Sequence, residues 1–590
     1  MRVTVLKEIP DDAELSRNWR RLVDRMEHPE IFFTYQWALA ASRAFQVTMS
    51  PLLFLMHEGD ELCGVAALAV DVENRASFLT ATTADYCDIV SAPETRAAVL
   101  AVLMQEIGKL KLRQLTLANL PSDSATWKEL PAVARAQRLY MASRPAYDCG
   151  LVEFGSEDQR RTMVHDVAHK NREQRGLKKL SRIGPVRISH LVHADEAGAC
   201  LRQVVSAQVA RFLATGRISP LVRPERRLFL QELTALLSAE GWLKISQLEV
   251  NAQPVAWNYG FRFEDSWFWY LPSFKVEYED CSPGSCLLRF LVEEGCADPS
   301  LRRLDLGLGD ESYKNRFATS VRQTLYVELS QSLPRHARIM LQQFVTTGAK
   351  HFPSLAVRLR RAREVARSLV CRLRDKGVGA TIAHAGRKLV RLIASRDEIL
   401  LFEAPATEVR ETSAMRLNPV TWQALAEAAI EDDGDPDTLQ YLLRSAARLK
   451  HGGTSGFLLH DELRGAVHFL AVANCDAFHI AEVDYTLNFG ESAGGMIFDC
   501  WTPARFRRLG YYPLAIRLAA SELQKNGKKA WIFCAATNTP SIQGILKAGF
   551  TYRFSLVRRR KLGFLTTIGQ ESGARALQSK HDFGGTARAG

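Results

Sequence analysis

Residues 496–550 read MIFDCWTPARFRRLGYYPLAIRLAASELQKNGKKAWIFCAATNTPSIQGILKAGF. The order is a strand (MIFDCWT), a turn (PARFRRLGYY), a helix (PLAIRLAASELQKNG) and a second strand (KAWIFCAAT). Asn538 to Ser541 then open another helix that ends at Gly549-Phe550. The arginines and Gly510 therefore fall where a strand hands over to a helix. A helix N-terminus offers free N–H groups and a positive dipole end, and glycine lets backbone approach a ligand closely, so this loop suits a pyrophosphate. Arg505, Arg507 and Arg508 would add charge-assisted hydrogen bonds. The competing reading is a basic surface turn; Asn538 and Ser541, placed ahead of a second helix, favour a ligand site.

Outward from this stretch, the same alternation recurs. In residues 1–150, RNWRRLVDRM reads as a helix, PLLFLMH and LCGVAALAV as paired strands, ETRAAVLAVLMQEIGKL as a helix and RQLTLANL as a strand. A second unit, 151–330, opens with HDVAHKNREQRGLKKLSRIG as one exposed helix. It continues through the strands LKISQLEV, PVAWNYGF and SWFWYLPSF, a helix over about 284–296 and the strand RRLDLGL. A third unit runs from EILLFEAP at about 397 to 563, and 564–590 reads as a flexible tail rich in small and polar residues. The expected fold class is α/β, with a mixed central sheet flanked by helices in each unit.

Composition sets the bounds. With 590 residues, 47% apolar and 24% charged, the chain is long enough for several domains and is neither disordered nor collagen-like. Eleven cysteines without a C-x-x-C pair read as reduced thiols of a cytoplasmic protein, and the fourteen histidines are not read as metal ligands. Lys7, Glu8, Asp11 and Asp12 interrupt the N-terminus before an apolar core of a signal peptide could form, and no apolar run is long enough to cross a bilayer.

The charge is local. Residues 331–397 hold 15 Lys/Arg against 3 Asp/Glu, a net of +12 that equals the formal charge of the whole chain. Leu359, Ala362, Ala366, Leu369 and Leu373 recur at helical spacing among arginines, so 331–396 reads as a basic helical connector. Its apolar seam suits packing on a neighbouring domain. The alternative is peripheral association with the inner membrane or with a membrane glycan synthase through 355–375. Nucleic acid is disfavoured, since no aromatic platform is interleaved with the arginines.

Arg507, Gly510 and Tyr512 fall on the first, fourth and sixth positions of R/Q-x-x-G-x-G/A, and here the chain resembles the GNAT (Gcn5-related N-acetyltransferase) superfamily. That resemblance implies acetyl-CoA, or another acyl-CoA, as co-substrate, with Arg507, Arg508, Gly510 and Tyr512 at its pyrophosphate and Asn538 and Ser541 beside its thiol arm. Tyr512 replaces the small residue usual in the motif. Ile545 stands where many relatives carry a tyrosine that protonates the leaving thiolate, which puts turnover by this unit in question. Residues 15–330 resemble CelD-type acetyltransferases, associated with bacterial exopolysaccharide production and related to the FemAB aminoacyl transferases. The match centres on Ser282-Pro283-Gly284 and on Asp305 to Lys314 (DLGLGDESYK). In such proteins a first half without the cofactor loop pairs with a second half that has it.

Ser282 and Gly284 lie between a strand and a helix, so their amides could cradle a phosphate or an oxyanion. Asp305, Asp310, Tyr313 and Lys314, at a strand end, are the candidates for proton transfer to and from an amine. The competing reading makes Asp305 a turn cap and Tyr313 a helix start. Trp257, Trp267, Phe268, Trp269 and Tyr270 are read as mainly core rather than a sugar-binding wall. The basic face from His165 to Lys179 is read as solvated. The expected activity is N-acyl transfer to a small-molecule or glycan amine. The alternatives are a non-catalytic CoA-binding regulator and a FemAB-like transferase that uses aminoacyl-tRNA.

Overall fold

The computed structural model describes residues 1–341, except 111 and 310, and residues 394–571, except 406–414, 453, 490–493 and 562–564. Asp310, the connector helix at 355–375 and residues 572–590 lie outside the described residues. The chain divides into two compact units, 1–212 with 218–353, and the remainder.

The first unit holds one twelve-stranded sheet. Its strands are β1 (Arg2–Leu6), β2 (Ser50–Glu58), β3 (Glu61–Val70), β4 (Arg75–Phe78), β5 (Gln114–Pro121), β6 (Tyr140–Glu153), β7 (Val186–Leu191), β8 (Leu243–Val250), β9 (Gln253–Phe263), β10 (Ser266–Phe274), β11 (Arg303–Leu308) and β12 (Ser320–Ser330). They lie in the order β1-β2-β3-β4-β5-β12-β6-β11-β10-β9-β8-β7. The order conceals a repeat. From either edge inward, four strands run antiparallel and the fourth pairs parallel with the fifth, β4 with β5 and β10 with β11. The sixth strand is exchanged: β6 follows β5 in the chain but pairs with β11, and β12 follows β11 but pairs with β5. The exchanged strands pair with each other from Ser320↔Leu151 to Ser330↔Tyr140. The boundary expected at residue 150 falls inside β6.

Each parallel pair is bridged by a helix, because a parallel connection needs a crossover. For β10 and β11 it is Pro283–Ala297, whose Cys286, Leu287, Leu288, Leu291 and Val292 are fully buried against the sheet. The stretch HDVAHKNREQRGLKKLSRIG forms two helices rather than one, Glu157–Ala168 and Asn171–Ile183, parted at His169-Lys170. Ser156 starts the first with a capping box closed by Gln159.

The halves are locked by buried charge. Glu30 is wholly buried, and its Oε1 accepts from Arg303 at 2.9 Å and Arg322 at 2.6 Å. Arg322 also reaches Asp123 at 3.0 Å and lies over the Tyr86 ring.

The second unit carries β13 (Ala394–Glu403), β14 (Met415–Pro419), β15 (Ser455–Asp461), β16 (Gly465–Cys475), a hairpin of β17 (Ala477–Ile480) and β18 (Tyr485–Asn488), β19 (Gly494–Trp501), β20 (Lys529–Ala535), β21 (Thr551–Lys561) and β22 (Leu565–Glu571). The sheet order is β14-β15-β16-β19-β20-β13-β21-β22, with β19 and β20 parallel. Apart from β22, this repeats the order and directions of β7-β8-β9-β10-β11-β6-β12. Residues 565–571, which composition assigns to a flexible tail, instead pair with β21 from Lys561↔Leu565 to Ser555↔Glu571.

Removing one partner of a buried ion cluster strands the others. Glu30→Ala, which takes from Arg303 its carboxylate and leaves Arg322 with Asp123 alone, is expected to cost the first unit about 3–5 kcal/mol, read from the midpoint of its urea unfolding.

Candidate active site

The parallel pairs part company. β10 and β11 are hydrogen-bonded only through Phe268↔Asp305, although both run on, and the β9–β10 register shifts between Phe268 and Leu271. β19 and β20 separate likewise after Ile497↔Ile532, with a shift in the β16–β19 register. Since each crossover helix runs back along its sheet, its N-terminal loop and the end of the following strand share one edge. Sheets of this kind bind ligands outside the carboxyl ends of their strands.

On that edge of the first unit, Ser282 adopts φ 50°, in the left-handed region, and precedes Pro283 at the first helical position. A Cβ on Gly284 would meet only Phe274 Cδ1, at 3.6 Å, so its backbone faces open space. The basic helix 171–183 is not merely solvated. Arg172 Nε donates to Ser282 Oγ at 3.1 Å, and Lys179 Nζ donates to the Asp280 carbonyl at 3.0 Å. Gly176 permits this close packing, as any Cβ there would clash with the Cys281 carbonyl. Two cations and a helix N-terminus therefore surround the loop, a donor set that fits a polyphosphate. The corresponding helix of the first half, Arg96–Lys109, starts instead at a fully buried arginine. The Arg96 guanidinium is bonded to Ser91, Thr126 and Asp88.

Beyond the split of β10 and β11 lies a cavity of about 650 Å³, whose wall includes Leu271, Leu308, Tyr270, Asp85, Asn119 and Gln208. Of the expected catalytic residues, Asp305, Tyr313 and Lys314 gather around β11 and the turn that follows it, and none of the three lines the cavity. Asp305 does not line the cavity: it is 1% exposed, Oδ2 accepts from Tyr86 at 2.8 Å and Oδ1 from the Gly307 N–H at 2.7 Å. Lys314 is spent on the Leu308 carbonyl at 2.7 Å and Glu311 at 2.9 Å. Tyr313 is half-buried; its oxygen accepts from Trp269 Nε1 at 3.1 Å, and burial raises its phenol.

The carboxylate on the cavity wall is Asp85, in the stretch ADYCDIV at 84–90, and it is not among the site residues expected from sequence. Burial, with Asp305 nearby, pushes its carboxyl up to about 7, against the pull of Lys314 and a hydrogen bond from the Leu308 N–H. Gly307 makes the approach possible: at φ +70° it takes a conformation that disfavours side chains, and a Cβ would stand 2.6 Å from Asp85 Oδ2. The one signal in sequence was a polar residue inside a run that otherwise buries. Trp257, Trp267, Phe268 and Trp269 are core residues at 2% exposure or less, and Tyr270 donates to the Thr83 carbonyl at 2.6 Å.

In the second unit, Gly510 takes φ +85° ahead of helix Tyr511–Lys525, and a Cβ there would meet nothing within 4 Å. Arg505 is drawn away to Glu431 and Asp432, Arg507 donates to the Thr502 carbonyl at 3.1 Å, and Arg508 is exposed. Asn538 caps helix Thr539–Lys547 by accepting from the Ser541 N–H. Tyr512 Oη is 2.9 Å from Ser541 Oγ, and its ring packs over Gly544 and beside His468. Burial holds the His468 imidazole down at about 3. Ile545 is fully buried core. His165 and His169, an i, i+4 pair that the sequence reading passed over, bring their rings within 4.2 Å. Among the described residues no cluster of three or more metal-ligating side chains occurs, and no helix is long and apolar enough to cross a membrane.

Residues 168–315 match the acetyltransferase (GNAT) domain family. No curated protein matches the chain. Among solved structures it is similar to FemX (8% identity, TM-score 0.39, covering 55% of this chain and 97% of that one). It is similar also to a tandem GNAT protein from the clavulanic acid biosynthesis pathway (12%, 0.33, 55% and 98%). A third is the C-terminal domain of a lysylphosphatidylglycerol synthetase described as putative, from Agrobacterium fabrum (10%, 0.36, 56% and 95%).

The raised Asp85 carboxyl carries a sign. The folded chain keeps a proton there that an unfolded aspartate loses above about 3.9, so this contribution to stability is full below that value and is lost as pH rises through about 7. Asp85→Asn is expected to raise Tm relative to the native chain, by a margin that widens from pH 5 to pH 8 in scanning calorimetry.

The split parallel strands, the open helix N-terminus beside them and the family match meet in one segment: residues 168–315 match the acetyltransferase (GNAT) domain family, and the chain that carries them is an acyltransferase.

Proposed function

We propose that the protein transfers an acetyl or related acyl group from acyl-CoA to an amine carried by a sugar or sugar-linked intermediate of a bacterial envelope or exopolysaccharide. The observation that carries this reading is Asp85, a carboxylate poised near neutrality on the wall of a cavity that opens where β10 and β11 part. The loop at Ser282 and Gly284, with Arg172 and Lys179, would hold the polyphosphate of acyl-CoA, which supplies an acyl group already activated as a thioester. Asp85 takes a proton from the bound ammonium and so frees the nitrogen lone pair. Tyr313, its oxygen fixed by Trp269, keeps its proton at neutral pH and is the acid of this reading. Asp305 acts one layer back, holding Tyr86 and the Gly307 turn against which Asp85 sits. Lys314 fixes the Leu308 carbonyl.

A regulatory role for residues 394–571 is favoured by Ile545 and by the Tyr512–Ser541 contact. In it Arg507, Arg508 and Gly510 hold the polyphosphate of acyl-CoA, with Asn538 and Ser541 flanking, and no turnover follows. The reading places the protein in the cytoplasm, either free or peripheral to the inner membrane.

Calorimetric titration of acetyl-CoA into the full chain tests both parts. Gly284→Asp, tolerated by the space at that position, is expected to remove one binding event by repelling the polyphosphate, and Gly510→Asp a second. Asp85→Asn should leave acyl-CoA binding intact while lowering kcat for an amine acceptor by about 10²–10⁴. Absence of acyl-CoA binding, or an Asp85→Asn variant as active as the native chain, would overturn the reading.

A further inference from the structure

The 650 Å³ cavity falls in the size range of small-molecule sites, and its polar groups form a pattern. Gln208 lines it at 6% exposure, and its Oε1 has no hydrogen-bond partner among the described residues. A buried acceptor left unpaired is costly, and a ligand that brings a donor removes that cost. Other polar groups nearby have already given their hydrogens to the protein. Tyr270 donates to the Thr83 carbonyl, and the Asn119 amide donates to the Ala84 carbonyl at 2.9 Å. The wall therefore offers acceptors, and a complementary ligand must carry several O–H or N–H groups.

The charged residues on the same wall are Asp85, Arg144 and Arg226. Arg144 is exposed and lies over the Tyr326 ring; Arg226 donates to the Thr82 carbonyl and lies over Phe45. Neither guanidinium is matched by a second carboxylate on that wall. One carboxylate and two guanidinium groups suit a ligand with one ammonium and an anionic substituent.

We infer that the cavity is the acceptor site for an anionic amino sugar: Asp85 meets its ammonium, Gln208 and Tyr270 meet its hydroxyls, and Arg144 and Arg226 meet a phosphate or carboxylate. This rests on the acyl-transfer reading for the role of the amine, and the binding claim stands apart from turnover.

Calorimetry on the full chain at pH 7.5 compares D-glucosamine 6-phosphate, 2-amino-2-deoxy-D-glucuronic acid, D-glucosamine and D-glucose 6-phosphate. The phosphate or the carboxylate form of the amino sugar should bind at least about tenfold tighter than the two compounds lacking one charge, each charge-assisted contact being worth about 1.5–3 kcal/mol. Which of the two leads identifies the anion. Gln208→Met, close in volume, should weaken every sugar, whereas Arg144→Gln and Arg226→Gln should erase only the advantage of the anion. Arg144 is exposed, so its variant folds even if a buried one fails, and circular dichroism checks each. Equal affinities for charged and neutral sugars, no binding of any sugar, or an Arg144→Gln variant that keeps the anion preference would overturn the inference. Binding in the expected pattern without acetyl transfer would remove the acyl-transfer reading and leave this site standing. Transfer to amines outside the pattern would do the reverse.

Discussion

Glu30, buried between Arg303 and Arg322, is the contact on which the first unit depends. A carboxylate there is tolerable only because two guanidinium groups reach it, and those arginines come from β11 and β12, almost three hundred residues along the chain. The cluster therefore requires both halves at once. The exchange of β6 and β12 expresses the same requirement in the backbone: each half lacks its sixth strand until the other supplies it. A seam built this way resists separation, since parting the halves would expose both a charge cluster and two long strand edges.

That seam shapes the site. The cavity draws its wall from both halves, with Asp85 and Asn119 from the first and Tyr270, Leu271 and Leu308 from the second. Two carboxylates stand close in this region, and their surroundings set them apart. Asp305 is engaged by Tyr86 and the Gly307 N–H. Asp85 is half-buried on the cavity wall and feels the charge of Asp305, so its carboxyl is pushed up to about 7. Divergent surroundings of paired carboxyl groups are a common route to distinct roles in one site.

The second unit repeats the strand order of residues 140–330 but not its chemistry. Its loop at Gly510 is open, as the one at Gly284 is. In place of an acidic cavity wall, Tyr512 bridges its two helices through Ser541, and a neutral His468 lies beneath it. The shared scaffold follows from burial and crossover rules; the difference is decided by side chains at a few positions.

Much of this was legible in the chain itself. Alternating apolar patterns located the strands LKISQLEV and PVAWNYGF and the crossover helices at 283 and 511, because burial on one face imposes period and polarity on local sequence. Ser282 opens a helix as its local sequence suggests, but a 3-10 turn over Val276–Cys281 separates it from β10, and Asp305 lies inside β11 rather than at its end. The sequence could not show that β6 and β12 trade places, that residues 565–571 extend a sheet, or that Asp85 rather than Asp305 faces the cavity. Each of these depends on which distant segment a strand or side chain meets. Pairing partners, burial and a shifted carboxyl are properties of groups brought together from far along the chain, and only the folded structure contains them.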